Sequence, residues 1–477
     1  KIKIFLNFIK MSLDLNDYFS LGLESTNQPI ENAGMINVFR TPVDTSSTNL
    51  NRITFKFPKT GMLTADSMVT IQPILSDSSA VASNLTPNFV NGVIGAIKRS
   101  RLLVDNKVLI DLERPGLAEN VKLYSRNTQV ELAEKEYKLM GNQFRTQINT
   151  DGTEGFDIND TRVFDNQNNT NVSISKNIIL QEASSKVYGI PLKHLGADFL
   201  EAAALPVFLL GHREMILELE FFSDCREYVA EPNGAGFNAG DVKINLANCE
   251  LVTTHVMLPP DVEANEISAM ARQPVAYPLL DKYVIKGVID TSATALNNEK
   301  SETYRINFQN REVHNLMMCS VDNSPAASLL VGNQRSIGMG DENLQMKING
   351  LNLFDRPIDK QPLIYQLTTY SEDGRTLKVP LNAWNVSNNS LNKYSQSADP
   401  LYLDYRGNFH YLKVDFSNGN QGVFGSGTVM KTAAEIDYKI TPRTNANPDQ
   451  TVKNDMFFYV TISKLLTIGA NQVNISY

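Results

Sequence analysis

The sequence is poor in the residues that most often announce chemistry. Three cysteines (Cys225, Cys249 and Cys319), one tryptophan and five histidines are all that 477 residues hold. The cysteines stand far apart and form no CxxC pair, which argues against a disulfide scaffold and fits a reducing compartment. The sequons at Asn168 and Asn171 then read as loop asparagines. His194, His212, His255, His314 and His410 never fall as HxH or HxxxH, so a zinc site has no local signature. There is no P-loop, no G-x-S-x-G and no G-x-G-x-x-G leading into a helix. No apolar run nears the roughly 20 residues of a membrane-crossing helix. A basic surplus is missing too: the net charge is −8, and the acidic excess lies almost wholly in residues 1–262. Such a chain does not grip nucleic acid by neutralising phosphates.

What the sequence has in abundance is alternation. "ITFKFP" sets Ile53, Phe55 and Phe57 against Thr54 and Lys56; "YRINF" does the same with Tyr304, Ile306 and Phe308, and "EIDYKI" with Ile436, Tyr438 and Ile440. Period two is the mark of half-buried strands, and clusters of Gly, Asn, Asp and Pro separate the segments. The expected class is mainly β, with a few short helices. At 477 residues the chain suits two large domains rather than one core.

The same plan is written twice. "RLLVDNKVLID" (101–111) reads as a hairpin turning at Asp105-Asn106, and "QMKINGLNLFD" (345–355) as one turning at Asn349-Gly350. Each is followed by a helical spacing that ends in tyrosine: Leu117, Val121, Tyr124 and then Leu363, Leu367, Tyr370. "IPLKHL" (190–195) before "LPVFLLGHREMILELEF" is matched by "VPLNAW" (379–384) before "DPLYLDYRGNFHYLKVDF". Two copies of one β domain, joined near 259–280, follow from this order. On that alignment the stretch from Asp111 to Pro191 far exceeds the one from Asp355 to Pro380. The surplus, about 127–187, is rich in Asn, Asp and Thr and is expected as a surface insertion. The second half compensates later, with polar stretches at 417–427 and 441–455.

Candidate chemistry is thin. If 205–222 were one strand, His212, Glu214, Glu218 and Glu220 would share a face opposite Met215, Leu217, Leu219 and Phe221. An acid/base pair at Glu218 and Glu220 competes with the wet side of a structural strand. The matching segment "FHYLKVDF" favours the latter, since it keeps polarity (Tyr411, Lys413, Asp415) without a carboxylate pair. "FGSGTV" (424–429) reads as a loop. "DINDTRVFDNQNN" has oxygen ligands enough for calcium yet lacks the glycine and distal glutamate of an EF-hand loop. Trp384 reads as a core plug rather than a sugar platform. No catalytic, cofactor-binding or metal residue is assigned. The opening "KIKIFLNFIK" lacks an initiator methionine, whereas "MSLDLNDYFS" from Met11 reads like a natural start; residues 1–10 are expected to be upstream translated sequence, or else a short arm contacting a partner.

Three segments then carry a resemblance: "RITFKFPKTGMLTADSMVTIQPIL", "NGVIGAIKRSRLLVDNKVLIDLERPGLAENVKLYS" and "YGIPLKHLGADFLEAAALPVFLLGHREMILELEF", with "CELVTTHVMLPPDVEANEI" leaving the first domain. In order and spacing the chain resembles the double jelly-roll major capsid proteins of small eukaryotic double-stranded DNA viruses, the polinton-like viruses and virophages. The resemblance implies two tandem eight-stranded antiparallel jelly rolls. The corresponding domains are an arm at 1–24, a first roll at 25–262 carrying the insertion, and a second at 263–477. It further implies homotrimeric capsomers tiling an icosahedral shell, with penton and minor capsid proteins as partners. Neither a cofactor, nor sequence-specific nucleic-acid binding, nor a transmembrane segment, nor an enzymatic activity is implied, and the expected location is the virion. The rival from another class is a tandem β-sandwich that binds or hydrolyses glycans, since such folds host both.

Overall fold

The computed structural model describes residues 35–44, 51–75, 92–119, 137–140, 145–148, 154–157, 162–165, 170–173, 187–201, 203–228, 240, 242–294, 298–323, 341–353, 355–359, 411–416, 427–441, 453–470 and 472–476. Sixteen strands within them build two units of eight. The first unit holds β1 (Met35–Pro42), β2 (Arg52–Lys56), β3 (Met68–Ile71), β4 (Ile97–Val104), β5 (Lys107–Glu113), β6 (Tyr188–Pro191), β7 (Met215–Phe221) and β8 (Glu250–Met257). After helix α1 (Pro260–Arg272) come β9 (Val275–Asp290), β10 (Lys300–Ile306), β11 (Glu312–Asp322) and β12 (Asp341–Ile348). The unit closes with β13 (Leu351–Asn352), β14 (Tyr411–Asp415), β15 (Ala434–Thr441) and β16 (Lys453–Ile468).

Strand order shows that the two units are one design. In the first, β1-β8-β3-β6 forms one sheet and β2-β7-β4-β5 the other; in the second, β9-β16-β11-β14 and β10-β15-β12-β13 repeat that order with every number raised by eight. All these pairs are antiparallel. A chain whose first strand lies beside its last and whose second lies beside its seventh is wound as a jelly roll.

Local chemistry accounts for the elements. Ile53, Phe55 and Phe57 are buried, as are Ile306, Phe308, Ile436, Tyr438 and Ile440, so the alternating segments do line two cores. Both hairpins turn where expected: Asp105 and Asn106 have φ of 52° and 59°, Asn349 and Gly350 of 51° and 81°. Positive φ at both central positions is what a two-residue turn needs to match strand twist, and Asn, Asp and Gly reach it most easily. A helical turn at 115–119 follows the first hairpin and buries Leu117. Val121, Tyr124, Leu363, Leu367, Tyr370 and Trp384 lie outside the described residues. In α1, Pro260 stands at the first turn with Asp261 and Glu263, and Arg272 in the last, which suits the helix dipole. Only Met270 of this helix is buried, so α1 connects the rolls along the surface.

One part of the repeat alignment is corrected. "FHYLKVDF" contributes β14, which pairs with β11 as β6 pairs with β3; the counterpart of β7 is β15. Alternation closing on phenylalanine marks both β7 and β14 as strands, but only their pairing tells a sixth strand from a seventh. The chain therefore makes a long excursion at the same place in each roll, from Glu113 to Tyr188 and from Asn352 to Tyr411, and the supposed surplus in the first half loses most of its basis. Of the segment 127–187, the described residues contain a helical turn, Tyr137–Met140, and two short hairpins, Arg145–Ile148 with Glu154–Asp157 and Arg162–Asp165 with Thr170–Ser173. Asp157 and the strand Arg162–Asp165 lie in the acidic stretch considered for calcium.

Candidate functional site

The acidic segment resolves first. Residues 205–222 are not one strand: Pro206 precedes a 3-10 turn, Val207–Leu210, and Gly211 at φ 60° ends it, so β7 begins only at Met215. His212 is exposed before the strand, its carbonyl accepting a hydrogen bond from Lys59 Nζ at 2.9 Å. Within β7, Met215, Leu217, Leu219 and Phe221 do face the core. Glu218 and Glu220 lie on the other side, but Glu218 is only 5% exposed. Strands β2 and β4 flank it and supply Arg52 and Arg101, both ion-paired to it. Glu220 pairs with Lys98 at 2.6 Å, and Arg99 forks onto Asp111 of β5 at 2.7 and 2.5 Å. A ladder of alternating charge thus crosses all four strands. Its carboxylates are engaged by cations from the neighbouring strands, an arrangement that knits the sheet together.

The seam between the rolls is the more elaborate site. In the β9-β16-β11-β14 sheet, β16 and the adjoining part of β11 are buried on both faces. Along β16, Met456, Phe458, Val460 and Ile462 enter the second core, while Phe457 and Tyr459 join the first roll's hydrophobic cluster with Met317, Cys319 and Val321. That double burial is why "MFFYVTI" is apolar almost throughout rather than alternating. Across the seam, the Tyr459 hydroxyl donates toward the carbonyls of Glu113 and Arg114, at 3.2 and 3.3 Å. Its burial holds the phenol well above the usual range. The Arg114 guanidinium stacks 5.3 Å over Phe457 and 5.0 Å over Phe222.

Three lysines of the second roll reach into the first. Lys464, 3% exposed, donates to the Leu109 carbonyl at 2.8 Å and pairs with Asp281 at 2.5 Å. A β-bulge presents that carbonyl: the partners of β4 skip from Val108 to Ile110, leaving Leu109 out of the ladder. Burial pushes the Asp281 carboxyl up, and Lys464 pulls it back. Lys282 meets Glu119 at 2.9 Å and Asp198 at 3.2 Å, and Glu119 also meets His194 Nδ1 at 3.0 Å. Lys286 pairs with Glu113. From the first roll, Arg213 donates to the Ala470 carbonyl at 2.7 Å. Buried ion pairs add little net stability, but they penalise any other register because a misplaced charge is left unpaired. The two rolls are therefore locked at one angle. Sequence reasoning assigned no role to any of these residues. The signal available was an unbroken apolar strand interrupted by Lys464, which reads as a buried strand with one inward charge.

The remaining candidates are structural. All three cysteines are buried and none is in a disulfide, and burial pushes the Cys249 thiol up to about 11. His255 is fully buried in β8, with Nδ1 2.7 Å from the Thr60 carbonyl and Phe39 edge-on at 5.1 Å; desolvation lowers its pKa. His314 Nε2 meets Ser463 Oγ at 2.7 Å. His410 lies outside the described residues. In "FGSGTV", Thr428–Val429 pairs with β11, so the segment is partly strand. Among the described residues no three of His, Cys, Asp or Glu gather as a metal-ligand set, and no helix is long and apolar enough to cross a membrane.

No family model matches the sequence, and no curated protein matches it either. Solved structures do. VP54 of PBCV-1, in a crystal structure fitted into a cryo-EM reconstruction of the virophage Sputnik, matches over 95% of this chain and 99% of its own. The TM-score is 0.59 at 12% identity. This chain has the double jelly-roll fold. A cryo-EM structure of the Sputnik virophage matches at TM-score 0.51 and 11% identity, over 94% of this chain and 90% of that one. The Faustovirus major capsid protein matches at 0.50 and 11%, over 93% and 92%. At such identities the likeness lies in the path of the chain, and it spans both rolls of the double jelly roll rather than one.

Proposed function

We propose that this chain is a major capsid protein of a double-stranded DNA virus, of the polinton-like or virophage type, whose homotrimers tile an icosahedral shell. The observation that carries this reading is the repeated eight-strand winding, β1–β8 and β9–β16, locked by the seam and matched end to end by the major capsid protein of Faustovirus. Two similar rolls per chain give a trimer six similar corners, which suits a hexagonal lattice built from one gene. The charge ladder around Glu218 stiffens a wall and does no catalysis in this reading. A net charge of −8 suits a shell that encloses DNA without holding it by its phosphates. Penton and minor capsid proteins are the expected partners, and the virion the expected location.

Negative-stain electron microscopy of the purified protein tests the proposal. Particles of hexagonal outline, or closed shells, are expected. A featureless monomer that binds or cleaves glycans would replace the capsid reading with the tandem β-sandwich one.

A further inference from the structure

We infer that Asn349 is a self-modification site, its side-chain amide set to cyclise onto the Gly350 backbone nitrogen and to end as aspartate or isoaspartate. The inference goes beyond the capsid reading and does not depend on it. The chemistry needs water and no cofactor, metal or partner.

Among the described residues three asparagines have left-handed backbone: Asn106, Asn310 and Asn349, at φ 59°, 60° and 51°. In each, Cγ lies a few bonds from the backbone nitrogen of the next residue, so a five-membered ring can close without any group from elsewhere. What differs is that nitrogen. After Asn106 it belongs to Lys107, which pairs with Val104 across the hairpin. After Asn310 it belongs to Arg311 and donates to the Phe308 carbonyl at 3.0 Å. Both followers also carry side chains that crowd the attack. After Asn349 the nitrogen belongs to Gly350, exposed at the tip of the β12–β13 hairpin, beyond the paired Ile348 and Leu351. That N–H enters no backbone hydrogen bond among the described residues, and a Cβ added at Gly350 meets nothing within 4 Å.

The carbonyl is prepared as well. Asn349 Oδ1 accepts hydrogen bonds from two successive backbone N–H groups, of Lys431 at 2.8 Å and of Thr432 at 3.2 Å. Two amide donors on one carbonyl oxygen are the arrangement that stabilises an oxyanion. They draw electron density from Cγ and hold the negative oxygen that forms as the nitrogen adds. The Gly350 nitrogen loses its proton to hydroxide and bonds to Cγ; the tetrahedral carbon then expels Nδ2 as ammonia and leaves a succinimide. Water opens that ring at either carbonyl, giving aspartate, or isoaspartate with the main chain running through the former side chain. One water is consumed, one ammonia is released, and nothing is oxidised or reduced. The Lys431 and Thr432 donors suit the product carboxylate better than the amide it replaces. Because the change runs one way, the hairpin records the age of the molecule.

Peptide mapping by mass spectrometry after timed incubation in neutral buffer tests this, comparing the folded chain with the same chain unfolded in guanidinium chloride. Asn91, Asn233 and Asn418 also precede glycine, so each site is followed in its own peptide. In the folded chain Asn349 is expected to convert roughly tenfold faster than in the unfolded one, and faster as pH rises, while Asn106 and Asn310 stay intact. Isoaspartate at position 349, detected by methyl transfer from an isoaspartyl methyltransferase, is expected to accumulate in step. It should vanish from that peptide in Asn349→Gln, whose longer side chain closes a larger ring far more slowly. If that variant does not fold, the two rates of the parent decide alone. Conversion that is equal in both states, or slower in the folded one, overturns the inference, because the two donors would then hold the amide still rather than activate it. Faster conversion of Asn106 or Asn310 than of Asn349 overturns it too.

Discussion

The β1-β8-β3-β6 and β9-β16-β11-β14 sheets share a strand order and differ in what lies on their outer faces. One carries Ile36 and Val38 toward solvent; the other carries Phe457 and Tyr459 into the first roll. Their sequences follow their surroundings. Strand β8 alternates, with Leu251, Thr253 and His255 buried between half-exposed neighbours, whereas β16 is buried from Met456 to Lys464 without a break. A strand's hydrophobic period therefore reports how many of its faces are covered, not which fold it belongs to. Duplication supplies the same winding twice, and the seam then makes the copies unequal.

The comparison breaks most completely at Lys464. Lys464→Ala leaves the buried Asp281 carboxylate without its cation and the Leu109 carbonyl without its donor. A loss of about 3–5 kcal/mol is expected, typical of breaking a buried pair from one side. Denaturant unfolding followed by calorimetry should show two transitions where the parent shows one, because the rolls lose their common lock. An unchanged single transition would mean that Lys464 is not what couples them.

Glu218 and Glu220 offer a smaller contrast within one strand. From sequence, both replaced by Gln should cost no more than ordinary surface changes; the structure separates them. Glu218→Gln gives up charge-assisted bonds to Arg52 and Arg101, with an expected cost of about 1.5–3 kcal/mol. Glu220→Gln, on a half-exposed side chain, is expected to stay within about 0.5 kcal/mol. Urea midpoints of the two single variants decide whether the ladder is centred on Glu218.

Tyr459→Phe sharpens the contrast between the two outer faces. It keeps the ring in the seam and removes the hydroxyl that reaches Glu113 and Arg114, at an expected cost of about 1 kcal/mol. Val256→Thr, on the half-exposed outer face of β8, should leave the melting temperature of the single chain nearly unchanged.

The smallest effect separates the rolls by acid. Burial holds His255 neutral, with its pKa lowered in the folded state. Below the ordinary histidine value of about 6.5 the unfolded chain takes up a proton that the folded chain refuses, so the first roll loses stability as pH falls. The loss levels off once pH passes the lowered folded pKa. His255→Gln should flatten the fall in melting temperature between pH 7.5 and 5, and an identical slope in the variant would assign the acid response elsewhere.

Sequence alone determined the class, the presence of two copies and the exact place of both hairpin turns. Period-two alternation and the pairs Asp105-Asn106 and Asn349-Gly350 are local physics, readable without knowing what lies across the sheet. It misplaced β14, because alternation identifies a strand but not its neighbours, and it joined His212 to β7 because the turn at Pro206–Gly211 is built of otherwise strand-like residues. The seam was decided only by tertiary structure. Lys464 meets Leu109, and Tyr459 meets Glu113, across more than three hundred residues of chain. Nothing in the spacing of a sequence records which two faces a folded chain will press together, since that depends on where sixteen strands have already been laid down.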